Sequence, residues 1–230
     1  MRTPLTVAVA QPEIAPGDVA ANAAEHAAAI LQADARLVVF PELSLTGYEL
    51  DAPLLALDDP ALAAVVAACA QTGSIALAGA PVDGPSIAVL RIDRDGIQVA
   101  YRKSHLGGGE PDRFVPGPGP VAVEVDGWRV GLGVCKDTGA DEHVAGVAAL
   151  AIDLYAAGLV HADDELEEQD RRGRRIAAVT GAAVAFASFA GPTGSGYDRT
   201  AGTSTIWGPD GDVRARADAR PGAVVGARLG

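Results

Sequence analysis

The sequence contains few basic residues relative to its acidic ones. Lys and Arg together number 18 against 30 Asp and Glu, which gives a formal net charge of -12 at pH 7. A protein of this charge is repelled at long range by nucleic acid and by anionic membrane surfaces. We therefore expect no nucleic-acid partner and no membrane partner, and we favour a small-molecule substrate or a protein partner.

The sequence also lacks a long hydrophobic run near its start. The apolar run in the opening stretch MRTPLTVAVAQPEIAP has about six residues, too short for a signal-peptide core and far too short to span a bilayer. The two cysteines, Cys69 and Cys135, form no CxxC pair and no disulfide framework, which agrees with a reducing compartment. Both absences predict a cytoplasmic location.

The spacings that metal and phosphate sites require are missing as well. The four histidines, His26, His105, His143 and His161, form no HxH or HExxH pattern. The glycines Gly107–Gly109 lack the GK[ST] ending of a phosphate-binding loop, so we interpret them as a flexible turn. We expect no metal and no organic cofactor. His105 and His161 follow predicted strands, where each is either a structural histidine or a residue lining a pocket.

The residues that are present indicate one α/β domain over residues 1–230. With 49% hydrophobic residues the chain can bury a sizeable core, and short β-branched runs alternate with alanine-rich helical stretches. The predicted helices are Asp18–Ala33, Pro60–Gln71, Ala140–Ala149 and Asp163–Gly181. The predicted strands are Leu5–Ala10, Leu37–Phe40, Ser74–Gly79, Ser86–Asp93, Ile97–Arg102, Val121–Val125, Trp128–Val134, Ile152–Val160, Ala183–Phe189, Gly202–Trp207 and Ala223–Ala227.

Asp-Gly pairs predict tight antiparallel hairpins. Asp95-Gly96 and Asp126-Gly127 each lie between two alternating runs, which suits type I′ turns with positive φ at both central residues. The stretch WGPDGDVRARA predicts a third hairpin. Antiparallel hairpins mixed with strand–helix units argue against a purely parallel sheet and favour sheets layered with helices.

Three reactive side chains follow predicted strands, where groups from separate strands can converge at one edge of a sheet. They are Glu42, Lys103 and Cys135. A carboxylate can take the proton of a thiol, and an ammonium favours the thiolate. The ammonium also stabilises the oxyanion formed when a thiolate attacks a carbonyl, together with the backbone N–H of Lys136. These residues are therefore a candidate catalytic set.

Local sequence leaves two interpretations of Cys135 open. The residue lies in the stretch VGLGVCKDTG, at the end of an apolar run in which Gly131 and Gly133 permit close backbone approach beside the thiol. It is either a buried structural thiol or a nucleophile. Cys69 lies in an alanine-rich helical segment and is interpreted as a buried, inert thiol.

Three segments resemble, in this order and with this spacing, the signature blocks of the nitrilase superfamily of carbon–nitrogen hydrolases. They are FPELSLTGY, YRKSHLGGGEPDRFVPG and GLGVCKD. The N-terminal TVAVAQPEIAPGDVAANAAEHAAAI and the late DRTAGTSTIWGPDGDVRARA also resemble the family, so the resemblance covers almost the whole chain. It implies a four-layer α-β-β-α sandwich, commonly paired into homodimers through a helical face.

The resemblance also implies roles for individual residues. Glu42 corresponds to the general base and acid, Lys103 to the oxyanion stabiliser and Cys135 to the nucleophile. Glu110 matches a second glutamate that supports substrate positioning and proton traffic. The implied reaction is hydrolysis of a small amide-type substrate through a thioester on Cys135, without a metal or an organic cofactor.

The segment after Cys135 departs from the family. Lys136 replaces an aromatic residue, and TGADEHV replaces a segment that ends in aromatic-Pro-Glu. This difference puts the substrate and the packing of the following helix in doubt. We predict four substrate-binding residues: Lys136, His161, Tyr48 and Tyr197. The alternative for Tyr48 is a role in local packing, and the alternative for Tyr197 is a place on an ordinary surface loop.

Three other functions remain open at this stage. The acid two positions after the cysteine is Asp137 rather than Glu, which favours amides or carbamoyl compounds over nitriles by resemblance. Acyl transfer to an amine is not separated from hydrolysis, because only the acceptor pocket differs. A non-catalytic binding or scaffold protein is disfavoured, because packing gives no reason to keep an acid, a base and a thiol at strand ends.

Overall fold

The computed structural model describes residues 3–230, so the first two residues of the predicted 1–230 domain lie outside it. Twelve strands in the described chain form two six-stranded mixed sheets. The first sheet has the order β12-β1-β2-β3-β4-β5. Its strands are β1 (Leu5–Gln11), β2 (Leu37–Val39), β3 (Ile75–Val82), β4 (Ser86–Asp93), β5 (Gly96–Arg102) and β12 (Ala223–Leu229).

The second sheet has the order β11-β10-β9-β8-β7-β6, with parallel pairing of β7 to β8 and of β8 to β9 at its centre. Its strands are β6 (Val121–Val125), β7 (Trp128–Val134), β8 (Leu154–Leu159), β9 (Ala183–Ser188), β10 (Thr205–Trp207) and β11 (Val213–Arg216).

Each sheet buries one face against the other sheet and one face against helices. Between the sheets, Val39 and Leu77 pack in one cluster with Val134 and Ala156. On the outer faces, α1 (Val19–Ala33) and α2 (Ala63–Thr72) cover the first sheet, and α3 (Asp141–Ala149) and α4 (Leu166–Thr180) cover the second. The predicted four-layer α-β-β-α sandwich is therefore confirmed.

The helix boundaries follow their capping residues. The Asp18 side chain accepts a hydrogen bond from the Ala21 backbone N–H at 3.0 Å and starts α1. Two predicted helices begin as 3-10 turns, Pro60–Leu62 before α2 and Asp163–Glu165 before α4. Gly181 takes a left-handed conformation, with φ of 66°, and ends α4. Within residues 3–230 no helix is both long and apolar enough to cross a membrane.

All three predicted hairpins form, but one turn differs from its predicted type. Asp126 and Gly127 have φ of 49° and 81°, as a type I′ turn requires. At the other Asp-Gly pair, Gly96 is already the strand residue opposite Asp93, and the turn is made by the two residues between them. Because Gly96 alone has a positive φ there, the predicted type I′ turn at Asp95-Gly96 is wrong.

Candidate active site

The backbone at Glu42 is held between the two sheets. The chain leaves β2 and passes between Gly79 of β3 and Gly158 of β8. A Cβ atom at Gly158 would lie 2.7 Å from the Glu42 nitrogen, and one at Gly79 would lie 2.8 Å from the Glu42 carbonyl carbon. Both positions therefore require glycine, and together they fix where the Glu42 side chain starts.

A single buried ammonium joins two carboxylates. Lys103 follows β5, and its Nζ donates hydrogen bonds of 2.6 Å to Glu42 Oε1 and of 2.6 Å to Glu110 Oε1. The Glu110 carboxylate also accepts from the Tyr48 hydroxyl at 3.0 Å and from the Gly107 backbone N–H at 2.8 Å. Both oxygens of the Glu110 carboxylate therefore accept hydrogen bonds, and Glu110 holds Lys103 and Tyr48 in place.

Glu42 has one oxygen left for chemistry. Its Oε2 is buried and has no hydrogen-bond partner within residues 3–230. Burial raises the pKa of the Glu42 carboxyl well above its ordinary value, opposed by Lys103 and assisted by the charges of Cys135 and Glu110. Burial lowers the pKa of Lys103, but its acidic neighbours outweigh this and raise it overall, so the ammonium stays charged.

Cys135 lies at a strained turn at the end of β7. Its φ of 34° falls in the left-handed region, which non-glycine residues adopt infrequently. Its thiol Sγ lies 3.3 Å from the Val160 carbonyl oxygen, which accepts its hydrogen bond. Burial raises the pKa of the thiol, opposed by the positive charge of Lys103, so the thiol needs a base to become a thiolate near neutral pH.

The glycines before Cys135 make room for side chains rather than for backbone. A Cβ at Gly131 would lie 2.4 Å from a methyl group of Val147, and one at Gly133 would lie 1.8 Å from the Tyr155 hydroxyl. The predicted close backbone approach beside the thiol is therefore wrong at these positions. The glycines instead let α3 and Tyr155 pack directly behind β7.

Asp137 ties the cysteine turn to the lysine segment. This buried carboxylate accepts from the Val134 backbone N–H at 3.0 Å on one side. On the other side it accepts from the Tyr101 hydroxyl at 2.9 Å, the Ser104 hydroxyl at 3.0 Å and the His105 backbone N–H at 2.8 Å. Sequence reasoning noted Asp137 as a family match and missed this role, for which its position two residues after the cysteine is the available signal.

One cluster of side chains has its ligand atoms close enough together to hold a metal ion: His105, Asp137 and His143. The Ser104 hydroxyl lies 3.1 Å from His105 Nδ1, 3.0 Å from Asp137 Oδ1 and 3.3 Å from His143 Nδ1. A hydroxyl therefore already lies within hydrogen-bond distance of all three ligand atoms. We interpret the cluster as a hydrogen-bond centre that positions the lysine segment.

Two predicted pocket residues converge beside the ion cluster. Tyr48 is buried, and its ring meets that of Tyr197 edge-on at 5.3 Å between centroids. Tyr197 is half-buried on the loop before β10. Burial, with smaller contributions from the charges of Cys135, Glu165 and Glu42, raises the pKa of Tyr197 to about 12. Both rings therefore lie within electrostatic reach of the carboxylates.

The other two predicted pocket residues differ in exposure. His161 is buried, and it directly follows Val160, the residue whose carbonyl contacts the thiol. Lys136 is exposed, and its methylene groups lie alongside Gly107. Lys136 therefore covers the loop that carries Glu110, while His161 lies inside.

Two arginines of α4 hold the atypical segment after Cys135. The Arg172 guanidinium donates long hydrogen bonds to the Cys135 carbonyl at 3.5 Å and to the Thr138 hydroxyl at 3.4 Å. Arg175 donates to the Thr138 carbonyl at 2.7 Å and also pairs with Asp141. No sequence pattern indicated these contacts, because α4 is distant along the chain from Cys135 and Thr138.

The structure is an α-β-β-α sandwich with an acid, an ammonium and a thiol gathered between its sheets, an arrangement suited to a hydrolase. A family model described as "Carbon-nitrogen hydrolase" matches residues 6–229. The chain belongs to this family, the nitrilase superfamily, and is a carbon–nitrogen hydrolase.

Known relatives agree with this assignment. A Pseudomonas protegens protein described as "Hydrolase in pqqF 5'region" is 30% identical over 235 residues, covering 96% of this chain and 82% of the relative. A mutant amidase from Nesterenkonia sp. AN1, solved with butyramide, matches with a TM-score of 0.87 at 24% identity, covering 98% of this chain and 90% of the amidase. A CN-hydrolase superfamily protein from Xanthomonas campestris, with an arsenic adduct in its active site, matches with a TM-score of 0.85 at 19% identity, covering 99% and 91%.

Proposed function

We propose that the protein hydrolyses a non-peptide C–N bond in a small amide or carbamoyl compound through a thioester on Cys135. The observation that carries the proposal is the Lys103 ammonium, held 2.6 Å from both Glu42 and Glu110 in a buried site beside the thiol. An acid, a fixed cation and a nucleophile are the groups that acyl transfer requires.

In the first half of the reaction, Glu42 takes the proton from the Cys135 thiol and the thiolate attacks the substrate carbonyl carbon. Lys103 and the backbone N–H of Lys136 stabilise the oxyanion. As the tetrahedral intermediate collapses, the C–N bond breaks and Glu42 gives its proton to the leaving nitrogen. Ammonia or an amine departs, and a thioester remains on Cys135.

In the second half, Glu42 takes a proton from a water molecule, and the oxygen of that water attacks the thioester carbonyl carbon. The C–S bond breaks, the carboxylic acid leaves and the thiol regains its proton from Glu42. Burial raises the pKa of the Glu42 carboxyl above its ordinary value, in the direction that a proton carrier working near neutral pH requires. Neither half requires a metal or an organic cofactor.

The pocket residues are assigned roles on the same basis. Glu110 holds Lys103 and Tyr48, while Tyr48 and Tyr197 form an aromatic wall for the acyl group. Lys136 is proposed to contact the distal end of the substrate, since its exposed chain covers the Glu110 loop. We expect Lys136→Gln to raise KM while leaving kcat unchanged.

Amide hydrolysis is favoured over the other reactions of this site. The Nesterenkonia amidase, with the same fold, has been solved with butyramide and with an acetamide moiety added covalently at its active-site cysteine. Nitrile hydrolysis and acyl transfer use the same three groups and are the alternatives. A non-catalytic scaffold is the alternative that predicts no turnover.

We further propose a single domain that forms a homodimer in the cytoplasm. Both sheets share one buried cluster between them, which supports a single folding unit. The dimer rests on the family resemblance, and both cysteines are free, as a reducing compartment requires. Sedimentation of the purified protein would test the dimer.

The proposed function is tested by incubating the protein with a panel of small amides, carbamoyl amines and nitriles. Release of ammonia or amine from an amide or carbamoyl compound, absent in Cys135→Ser, is the expected result. Turnover of nitriles alone would favour the alternative reaction. No turnover of any class, together with no faster alkylation of Cys135 than of a free cysteine, would overturn the hydrolase proposal.

A further inference from the structure

His161 has one buried ring nitrogen without a partner among residues 3–230, and it directly follows the residue whose carbonyl contacts the Cys135 thiol. Its side chain follows Val160, whose carbonyl oxygen lies 3.3 Å from the Cys135 thiol, and the residue is only 3% exposed. Nδ1 lies 3.2 Å from Gln169 Oε1. Nε2 is buried and has no hydrogen-bond partner among residues 3–230. An unsatisfied buried polar atom in a native structure calls for a physical explanation.

The contacts of Gln169 fix which ring nitrogen carries the proton. The Gln169 amide nitrogen donates to the carbonyl oxygens of Gly202 at 3.2 Å and Thr203 at 3.4 Å. Because carbonyls only accept, the amide nitrogen must face them and Oε1 must face His161. Oε1 can only accept as well, so His161 Nδ1 carries the proton. In a neutral ring, Nε2 is then a hydrogen-bond acceptor.

The surroundings keep this ring neutral. Burial lowers the pKa of His161, and the positive charge of Arg172 lowers it further. The contact with Gln169 and the charges of Glu165 and Glu42 act in the opposite direction without reversing the shift. The lone pair on Nε2 is therefore available near neutral pH.

We propose that His161 Nε2 accepts a hydrogen bond from the nitrogen of the scissile bond, and so selects carboxamides and carbamoyl compounds over esters and nitriles. The inference rests on the proposed function, in which Glu42 protonates that same nitrogen. His161 directly follows Val160, whose carbonyl oxygen lies 3.3 Å from the Cys135 thiol, and this position supports placing the leaving nitrogen near the ring; the charge of Glu42 also reaches that ring. An ester oxygen or a nitrile brings no N–H, so either leaves the buried acceptor unpaired, and a site built to bind an N–H discriminates strongly against that.

Two substitutions separate the acceptor from a structural role. In His161→Asn, the side-chain amide can still donate to Gln169 but nothing reaches the Nε2 position. In His161→Gln, the amide oxygen reaches that position while the contact with Gln169 is lost. A merely structural histidine would tolerate Asn better than Gln, whereas a substrate acceptor would tolerate Gln better than Asn.

The measurement is the rate of Cys135 acylation by propionamide and by methyl propionate, which leave the same propionyl group. We expect His161→Asn to lower the amide rate about 10- to 100-fold and the ester rate less than about threefold, with His161→Gln recovering most of the amide rate. Equal losses on amide and ester, or no loss on the amide, would overturn the inference.

Nitrogen NMR of the histidine rings gives a readout that does not depend on turnover. The expected result is a protonated Nδ1 and an unprotonated Nε2 at His161 in the wild type, and the opposite tautomer would overturn the inference. If the wild type is acylated by neither the amide nor the ester, the proposed function itself fails. That result is distinguishable from the failure of the inference, in which the wild type is acylated and the variants do not discriminate.

Discussion

The Lys103 ammonium donates a 2.6 Å hydrogen bond to Oε1 of Glu42 while Oε2 of the same carboxylate stays buried and unpartnered within residues 3–230. One oxygen is thus anchored by a cation and the other is free to exchange a proton. The two carboxylates around Lys103 give the cluster a net charge of -1 when both are ionised. Burial of that charge explains why the pKa of the Glu42 carboxyl rises.

Replacing Glu42 by Gln should remove the base while keeping the hydrogen bond to Lys103. Because positioned acid–base groups contribute about 10²- to 10⁴-fold, we expect kcat/KM on an amide to fall by about that factor. The acidic limb of the wild-type pH profile should lie above the ordinary carboxyl range, because burial raises the pKa of Glu42. A profile whose acidic limb follows an ordinary glutamate, or a variant that keeps full activity, would contradict this role.

Asp137→Asn should misplace the cysteine turn relative to Lys103. An amide nitrogen cannot accept hydrogen bonds, so some of the donors Val134, Tyr101 and Ser104 lose their partner. We expect a loss of about 1–3 kcal/mol in the free energy of unfolding and at least a tenfold loss in kcat. Denaturant unfolding and steady-state kinetics check this. The control is Asp126→Asn, at an exposed ion pair with Arg36, which should change neither the free energy of unfolding nor kcat. If both variants lose the same stability and the same kcat, Asp137 does not hold the cysteine turn in place.

Gly158→Ala should displace Glu42 without touching its side chain. The new Cβ would lie 2.6 Å from the Phe40 carbonyl and 2.7 Å from the Glu42 nitrogen, so the backbone must move. Since small displacements of a catalytic group cost up to about 10²-fold, we expect kcat to fall by about that factor. The matched control is Gly109→Ala, where the nearest atom is a Leu50 methyl group at 3.7 Å. Full activity in Gly158→Ala would show that the backbone position of Glu42 is not critical.

The stability of the protein should fall as the pH drops from about 6.5 to about 4. Burial lowers the pKa of His26 from 6.5 to about 4. The unfolded chain therefore binds a proton in this window that the folded chain does not, and the free energy of unfolding decreases with falling pH. At the acidic end the loss reaches about 3 kcal/mol from this residue.

Urea unfolding at several pH values measures this loss. His26→Gln is the comparison, and its stability should depend less on pH over the same window. His143 and His161 are also buried, and their lowered pKa values give the same sign, so the His26→Gln variant keeps the part of the slope that comes from those rings. An identical slope in wild type and variant would contradict the assignment to His26.

Local patterns predicted sheets layered with helices, whereas the resemblance to the family implied the four-layer sandwich and the set of Glu42, Lys103 and Cys135. Glu42 lies three residues after the end of β2, and Cys135 directly follows β7; both lie within stretches that resemble the family blocks. The contacts of Asp137, Gln169 and Arg172 could not be predicted, because their partners come from other strands and loops. The turn at Gly96 was predicted wrongly because an Asp-Gly pair marks a turn without fixing which residue takes the positive φ.

The central claim is that Cys135 carries the acyl group of the substrate. It is tested most directly by intact-mass spectrometry of the wild type, quenched with acid during turnover of an amide that it hydrolyses, because the acid stops hydrolysis of the thioester. The account predicts a mass increase equal to the acyl group, located on the Cys135 peptide and absent in Cys135→Ala. Hydrolysis that persists in Cys135→Ala, or an acyl group found on another residue, would contradict it.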